Sequence, residues 1–348
     1  MVRGFSIPRG GVLFGKNVAR PFLSTPAIVL RTVDFGESDR IVTVLSRDFG
    51  KFTGIAKGAK RSRKRFSGAL EIFARIRLDF HQRRDSGMAF LERAVVRAPW
   101  PALVQSMARY GAATHVIEVA DKISAEHEVG DDLFQVVDAT LATLGSEEPG
   151  PFLLRLFELA VLSAGGWHPH LDHCLGCRRL PETSRDLVSL EVEGGGVRCS
   201  GCARDGGLRL RPETLACMRR FANAALKHRT LDFGVQREVQ EWLEPLCRKS
   251  TSDADTAAKD RAGAISQRRI EQELRTATAL LLAPRLRSPL RALDALSGSG
   301  SGVEPGREDV RDRAKPALVQ QPLQTRRYPR PTQSVEEADV AGSSDQLR

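Results

Sequence analysis

No run of about 18 apolar residues occurs anywhere in the 348-residue sequence, so no segment has the length and character of a membrane-spanning helix. The opening stretch, MVRGFSIPRGGVLFGKNVARPFLSTP, carries positive charge but no unbroken apolar core of signal-peptide length. The expected compartment is therefore the reducing cytoplasm, and the six cysteines are not expected to build a disulfide framework. No glycine-rich loop precedes a helical pattern in the way that cradles phosphate, and no Ser/His/Asp arrangement emerges. Histidine is sparse, at seven residues, and the chain is not expected to be an enzyme. Aromatic residues make up only 6%, yet the hydrophobic fraction of 41% is enough for real cores. The length allows two domains and a tail.

Acidic residues are short in one region and basic residues in the next. Residues 25–100 hold 16 Lys/Arg against 8 Asp/Glu, whereas residues 101–173 hold 3 against 11. Long-range attraction follows local charge, so this asymmetry points to a polyanion partner at the basic end.

From Ala27 the texture is β. Ile28–Val33, Arg40–Ser46, Lys51–Ala56, Leu70–Phe80 and Met88–Val96 read as strands, with turn composition over residues 34–39. In LEIFARIRLDF (70–80) apolar residues alternate throughout, which predicts one eleven-residue strand. Five short strands with a long polar loop between them fit a small closed barrel of the OB type, assigned to residues 25–100. The period then becomes helical: Leu103, Met107, Tyr110, Thr114, Ile117 and Ala120 form one face, and Leu133–Leu144, Pro151–Ala164, Pro212–Leu226 and Val235–Leu246 continue the pattern. The fold class is α+β: the barrel, then a helical domain over residues 101–248, with an extension at 1–24. Residues 249–348 contain one aromatic, Tyr328, along with SGSGSG and repeated Arg/Pro, and are expected to be mostly disordered apart from a short helix over Ile270–Leu282.

Two matched pairs, CLGC at 174–177 and CSGC at 199–202, have the arithmetic of a four-thiolate zinc site. Cys174, Cys177, Cys199 and Cys202 would hold one zinc ion, with Gly176 and Gly201 letting the backbone fold round the sulfurs. Val188–Val192 and Gly194–Gly196 read as a hairpin joining the two knuckles. With every coordination position filled by protein, such a metal is structural. Cys217 and Cys247 fall inside helical patterns and read as small buried apolar residues. The stretch WHPHLDH offers His168, His170, Asp172 and His173 as a metal-hydrolase alternative, a zinc-dependent nuclease. A linker packing against the zinc module is the other reading.

The segment KGAKRSRKR, residues 57–65, packs six cations into nine residues with no acid. Placed between two strands it becomes a loop held out by a rigid barrel, and phosphate backbones are its natural counter-charge. Nothing in it could read base identity, so binding without sequence preference is expected. The alternatives are a merely solvated loop and a zinc-ribbon nucleic-acid-binding factor.

The run TPAIVLRTVDFGESDRIVTVLSRDFGKFTGIAKGAKRSRKRFSGALEIF resembles the N-terminal OB domain of the bacterial recombination mediator RecO, most specifically in GESDRIVTVLS and GKFTGIAKGAKRSRKRF. LLRLFELAVLSAGGWHPHLDHCLGC, the CSGC pair and RLRPETLACMRRF are similar to the helical domain of that family with its zinc insertion. The resemblance covers residues 25 to about 246. It implies a non-catalytic DNA-repair accessory protein that binds single- and double-stranded DNA and anneals complementary strands. Such a protein would engage the single-stranded-DNA-binding protein, pair with RecR and help load RecA, working at the nucleoid. By position, Arg40, Lys57, Lys60, Arg61, Arg63, Lys64 and Arg65 would face DNA. Two departures stand out: the long segment after Cys247, with a faint echo of the family's last helix in Pro284–Leu296, and the leader.

Overall fold

A computed structural model of the chain describes residues 23–82, 87–128, 130–179, 187–204, 207–227, 234–248 and 256–290. The Val-, Ile- and Thr-rich stretches form strands β1 (Leu23–Phe35), β2 (Asp39–Ser46) and β3 (Gly50–Ala56), followed by β4 (Arg75–His81) and β5 (Ala89–Ala98). They close into a barrel in the order β1-β2-β3-β5-β4, with β3 and β5 parallel and the other pairs antiparallel. This is the expected OB-type barrel. Ala27, Val29, Val42, Val44, Phe52, Ile76, Leu78, Phe80 and Leu91 fill its interior, and Phe66, Ala69 and Leu70 join them from the β3–β4 connection.

One strand expectation fails. The alternation over 70–80 breaks at Phe73, which has φ 71° and points into the helical core, stacking edge-on against Tyr110 at 5.6 Å. Ile72, predicted inward, is 38% exposed, and β4 begins only at Arg75. Two competing cores claim this stretch. Leu70 caps the barrel and Phe73 serves the helices, so no single strand can satisfy both.

The helical part contains α1 (Met107–Ile123), α2 (Asp131–Ser146), α3 (Leu153–Ala164), α4 (Pro212–Lys227), α5 (Gly234–Arg248) and α6 (Thr256–Leu282). Between α3 and α4 lie β6 (His170–Cys174), β7 (Val188–Glu191), β8 (Gly196–Arg198) and β9 (Leu208–Leu210), in the order β6-β8-β7-β9. The anticipated hairpin is β7–β8. No described helix is long and apolar enough to cross a membrane.

The barrel docks on the helices through its own outward side chains. Ile28, Leu30 and Leu45 belong to the helical core. Arg75 pairs with Asp138 at 3.1 Å, Lys51 with Asp121 at 3.1 Å, and the His127 N–H donates to the Lys51 carbonyl at 2.7 Å. Gly50 sits at this seam with φ 66°, where a Cβ would stand 2.2 Å from the Glu128 carbonyl oxygen, so no larger residue fits.

In the segment after α5 the expected short helix over Ile270–Leu282 is present but longer: α6 runs from Thr256 to Leu282. Ile270, Leu274, Ala277 and Leu281 are buried, a stripe at helical spacing that packs with α3, α4 and α5. Glu273 accepts hydrogen bonds from Thr214 at 2.6 Å and from the Arg211 guanidinium at 2.9 Å. Beyond the helix the Arg287 N–H reaches the Lys122 carbonyl at 3.1 Å. Residues 291–348 and the leader at 1–22 lie outside the described residues, while Leu23 and Ser24 already belong to β1.

A charged group sits inside this core. Glu158, on α3, is fully buried and accepts from Thr278 on α6, from Arg155 at 2.9 Å and from His115 on α1 at 2.8 Å. Burial alone would raise its pKa, but the Arg155 guanidinium and the hydrogen bonds from His115 and Thr278 outweigh that and lower it. Its stabilising contribution is therefore complete above the ordinary carboxylate pKa and is lost as pH falls through the depressed value. Urea unfolding at pH 7 should show Glu158→Gln less stable by about 3–5 kcal/mol, the cost of leaving Arg155 buried without its partner. The gap should narrow in acid; equal stability at pH 7 would refute an ionised pair.

Candidate nucleic-acid interface and metal centre

The basic segment between β3 and β4 is folded, not slack. Gly58, with φ 66°, lets the chain turn and donates its N–H to Asp39 at 2.8 Å. Residues Ala59–Arg61 make one 3₁₀ turn, the Lys60 N–H bonds the Ser38 carbonyl at 3.0 Å, and the Ala94 N–H bonds the Arg65 carbonyl at 2.9 Å. Phe66 then enters the barrel interior. The loop is thus pinned at the β1–β2 turn and again at β5.

The seven cations named from sequence gather at this end of the barrel, but not in one role. Arg40 binds Asp34 at 3.2 Å and Glu71 at 2.9 Å, and the Glu71 hydrogen bond leads the causes that raise its pKa. Lys60 binds Asp34 at 3.1 Å and the Gly36 carbonyl at 3.1 Å, and its hydrogen bond is the first cause holding the Asp34 carboxyl below the usual range. Arg65 folds inward, donating to the Lys57 carbonyl while lying 5.1 Å from the Phe66 ring centroid. Lys57, Arg61, Arg63 and Lys64 are exposed and make no ion pair among the described residues. Three cations build the loop and four are free to meet a ligand.

Sequence reasoning missed the apolar surface next to them. On the outward face of the barrel Val33 pairs with Ile41, and Ile41 with Ile55. Val33 is 42% exposed and Phe35, the last residue of β1, is 53% exposed. A phenylalanine inside the turn composition DFGESD, with no apolar neighbour to hide it, was the available signal. A groove of about 530 Å³ lies elsewhere, walled by Met107, Leu154, Arg268 and Arg275, and none of the seven cations lines it.

The four cysteines converge. Their sulfurs all lie within 4.8 Å of one another, with Cys177 and Cys199 3.7 Å apart. Four thiolates about 2.3 Å from one ion at tetrahedral corners would stand about 3.8 Å apart, so the spacing fits such a centre. Cys174 is buried at the end of β6, and its sulfur accepts the N–H groups of Gly176 and Cys199, each at 3.3 Å. Burial opposes ionisation of Cys174, but backbone hydrogen bonds at Cys177, Cys199 and Gly176 overcome it and bring its pKa to about 6. Cys202 is pushed up to about 12, chiefly by hydrogen bonds to Cys199 and Cys177. The lowered Cys174 and the raised Cys202 thus sit in one cluster with opposite demands, a conflict that a bound dication would resolve. A Cβ on Gly176 would meet Arg198 at 2.9 Å and the Cys202 sulfur at 3.0 Å, so the first knuckle requires glycine. Gly201 meets nothing within 4 Å, and the second knuckle makes no such demand.

His168, His170, Asp172 and His173 do not assemble into a second centre. Among the described residues only the cysteines form a metal-capable group. His168 Nδ1 is engaged with Ser163 Oγ at 2.9 Å, and burial lowers its pKa. Arg219 donates to the Leu171 carbonyl at 2.8 Å, tying β6 to α4. Cys217 is buried, as expected, and the Cys247 side chain lies outside the described set. The cysteine geometry predicts one thiolate-bound metal per chain. Elemental analysis should find one equivalent, and cobalt substitution should give thiolate charge-transfer bands that Cys177→Ser weakens. A chain with no tightly held metal after purification without chelator would contradict this.

Comparison with known proteins supports the same division of the chain. Residues 22–100 match the family model described as recombination protein O N terminal, and residues 104–249 match recombination protein O C terminal. A DNA repair protein RecO from Anaeromyxobacter sp. (strain K) is 36% identical over 230 residues, spanning 66% of this chain and 87% of that protein. The RecO protein of Myxococcus xanthus is 36% identical over 176 residues, 51% of this chain and 70% of its own length. That of Geobacter sulfurreducens is 33% identical over 180 residues, 52% and 72% respectively. Two adjoining family matches over the barrel and the helical part, and relatives aligned along most of their length, place the chain in the RecO family.

Proposed function

We propose that this protein is a DNA-binding mediator of recombinational repair that acts without catalytic turnover. It binds single- and double-stranded DNA, brings complementary strands together, and with RecR helps load RecA onto DNA coated by the single-stranded-DNA-binding protein. The observation that carries this reading is the group of four unpaired cations, Lys57, Arg61, Arg63 and Lys64, on a loop fixed to the barrel of a RecO-family chain.

The mechanism is charge neutralisation. Each phosphate contact releases condensed counterions, which favours binding in dilute salt and lets two like-charged strands approach. Because the loop is already ordered by Asp34, Asp39 and its own backbone bonds, little conformational entropy remains to be lost on contact. Arg40, Lys60 and Arg65 face the same region and contribute to its potential, yet their carboxylate and carbonyl partners hold them in place as framework. Zinc at Cys174, Cys177, Cys199 and Cys202 would fasten β6 to the β7–β8 hairpin and supply no open position for chemistry.

Replacing Lys57, Arg61, Arg63 and Lys64 together by Ala should abolish most strand annealing, including on DNA coated with the single-stranded-DNA-binding protein. The slope of log affinity against log salt should flatten by about 3, at about 0.7 per single-strand phosphate contact. The Glu71→Gln variant should bind DNA at least as well as the native protein. Undiminished DNA affinity in the quadruple variant would falsify the assignment of this loop.

A further inference from the structure

We infer that Phe35 is a base-stacking position, and that the barrel face beside the cationic loop selects single-stranded over double-stranded DNA. This rests on the reading of that loop as the DNA site. Phe35 is 53% exposed on a rigid strand end, held on both sides: Asp34 and Gly36 each bind the Lys60 ammonium at 3.1 Å. A large aromatic fixed in solvent next to free cations has its π-face available, and its pairing partner across the turn is the short side chain of Asp39.

The surface continues across the sheet. Strand pairing aligns Val33, Ile41, Ile55 and Phe90 in one outward row over β1, β2, β3 and β5, with Thr43 and Thr53 joined at 3.1 Å in the next row. The same outward face is apolar at its other end, but there Ile28, Leu30 and Leu45 are covered by the helices. Among the described residues the end near the loop has no such cover. Charge selects the occupant. Around the row Asp34 and Glu71 are already paired with Arg40 and Lys60 and Asp39 accepts the Gly58 N–H, while Lys57, Arg61, Arg63 and Lys64 make no ion pair among the described residues. An anionic chain that also offers flat apolar groups fits, and single-stranded DNA is such a chain. In a duplex the base faces are hidden in the stack, so only the phosphates can be engaged.

The test compares Phe35→Ala, Phe35→Leu and Phe35→Trp with the quadruple alanine variant, using a fluorescent dT oligonucleotide and a duplex of equal length. Phe35→Ala and Phe35→Leu should bind the oligonucleotide about ten-fold more weakly, an effect within the usual range for one stacked base, with duplex affinity unchanged. Phe35→Trp should restore binding, and unlabelled dT oligonucleotide should quench its added fluorescence, a signal that a purely structural role could not give. The quadruple variant should lose both ligands. Unchanged oligonucleotide affinity in Phe35→Ala, with the quadruple variant still defective, overturns the stacking role and leaves the loop assignment standing. The same holds if Phe35→Ala loses a protein partner instead. Equal losses for oligonucleotide and duplex also overturn it. Full binding by the quadruple variant removes the reading on which the inference rests.

Discussion

Ala27 and Val29 point into the barrel while Ile28 and Leu30 point into the helical core, so this part of the first strand has no solvated side. Everything else follows from that double burial. It forces the barrel and the helices to share one strand as a common wall, and Phe73 and Leu45 extend the wall on either side. It also decides which end of the outward face stays open. The helices occupy one end, and among the described residues the other end, carrying Val33, Phe35 and the β3–β4 loop, is left uncovered.

At that open end the acidic residues matter as much as the basic ones. Asp34 sits between Arg40 and Lys60, Asp39 holds the Gly58 amide, and Glu71 holds Arg40 from the far side of the loop. A region with net positive charge has thus used its few carboxylates to fix the backbone that displays the rest. Fixed charges need no reorganisation when a polyanion arrives, which is how a small number of cations can have a large effect.

The barrel was legible because period-two patterning survives wherever one face is buried, as in Val42 and Val44 against Ile41 and Thr43. The four-cysteine cluster was legible because two matched Cys-x-Gly-Cys knuckles leave few other readings. What could not be read was competition between cores. Leu70 and Phe73 obey two different hydrophobic demands three residues apart, and no single period describes both. The α6 stripe of Ile270, Leu274, Ala277 and Leu281 was diluted by the polar sequence on either side of it. The sorting of seven cations into framework and free groups depends on carboxylates brought in from β1 and from the loop preceding β4, which sequence proximity does not reveal.

The hydroxyl that completes the buried Glu158 group stands 120 residues further along the chain. A ribosome adding roughly 5–20 residues per second needs on the order of ten seconds to cover that distance. During that interval α1 to α5 have emerged, but the wall that α6 supplies has not, and the apolar flank of α3 remains wet. Folding of the helical half therefore finishes late in translation, once Thr278 has reached Glu158.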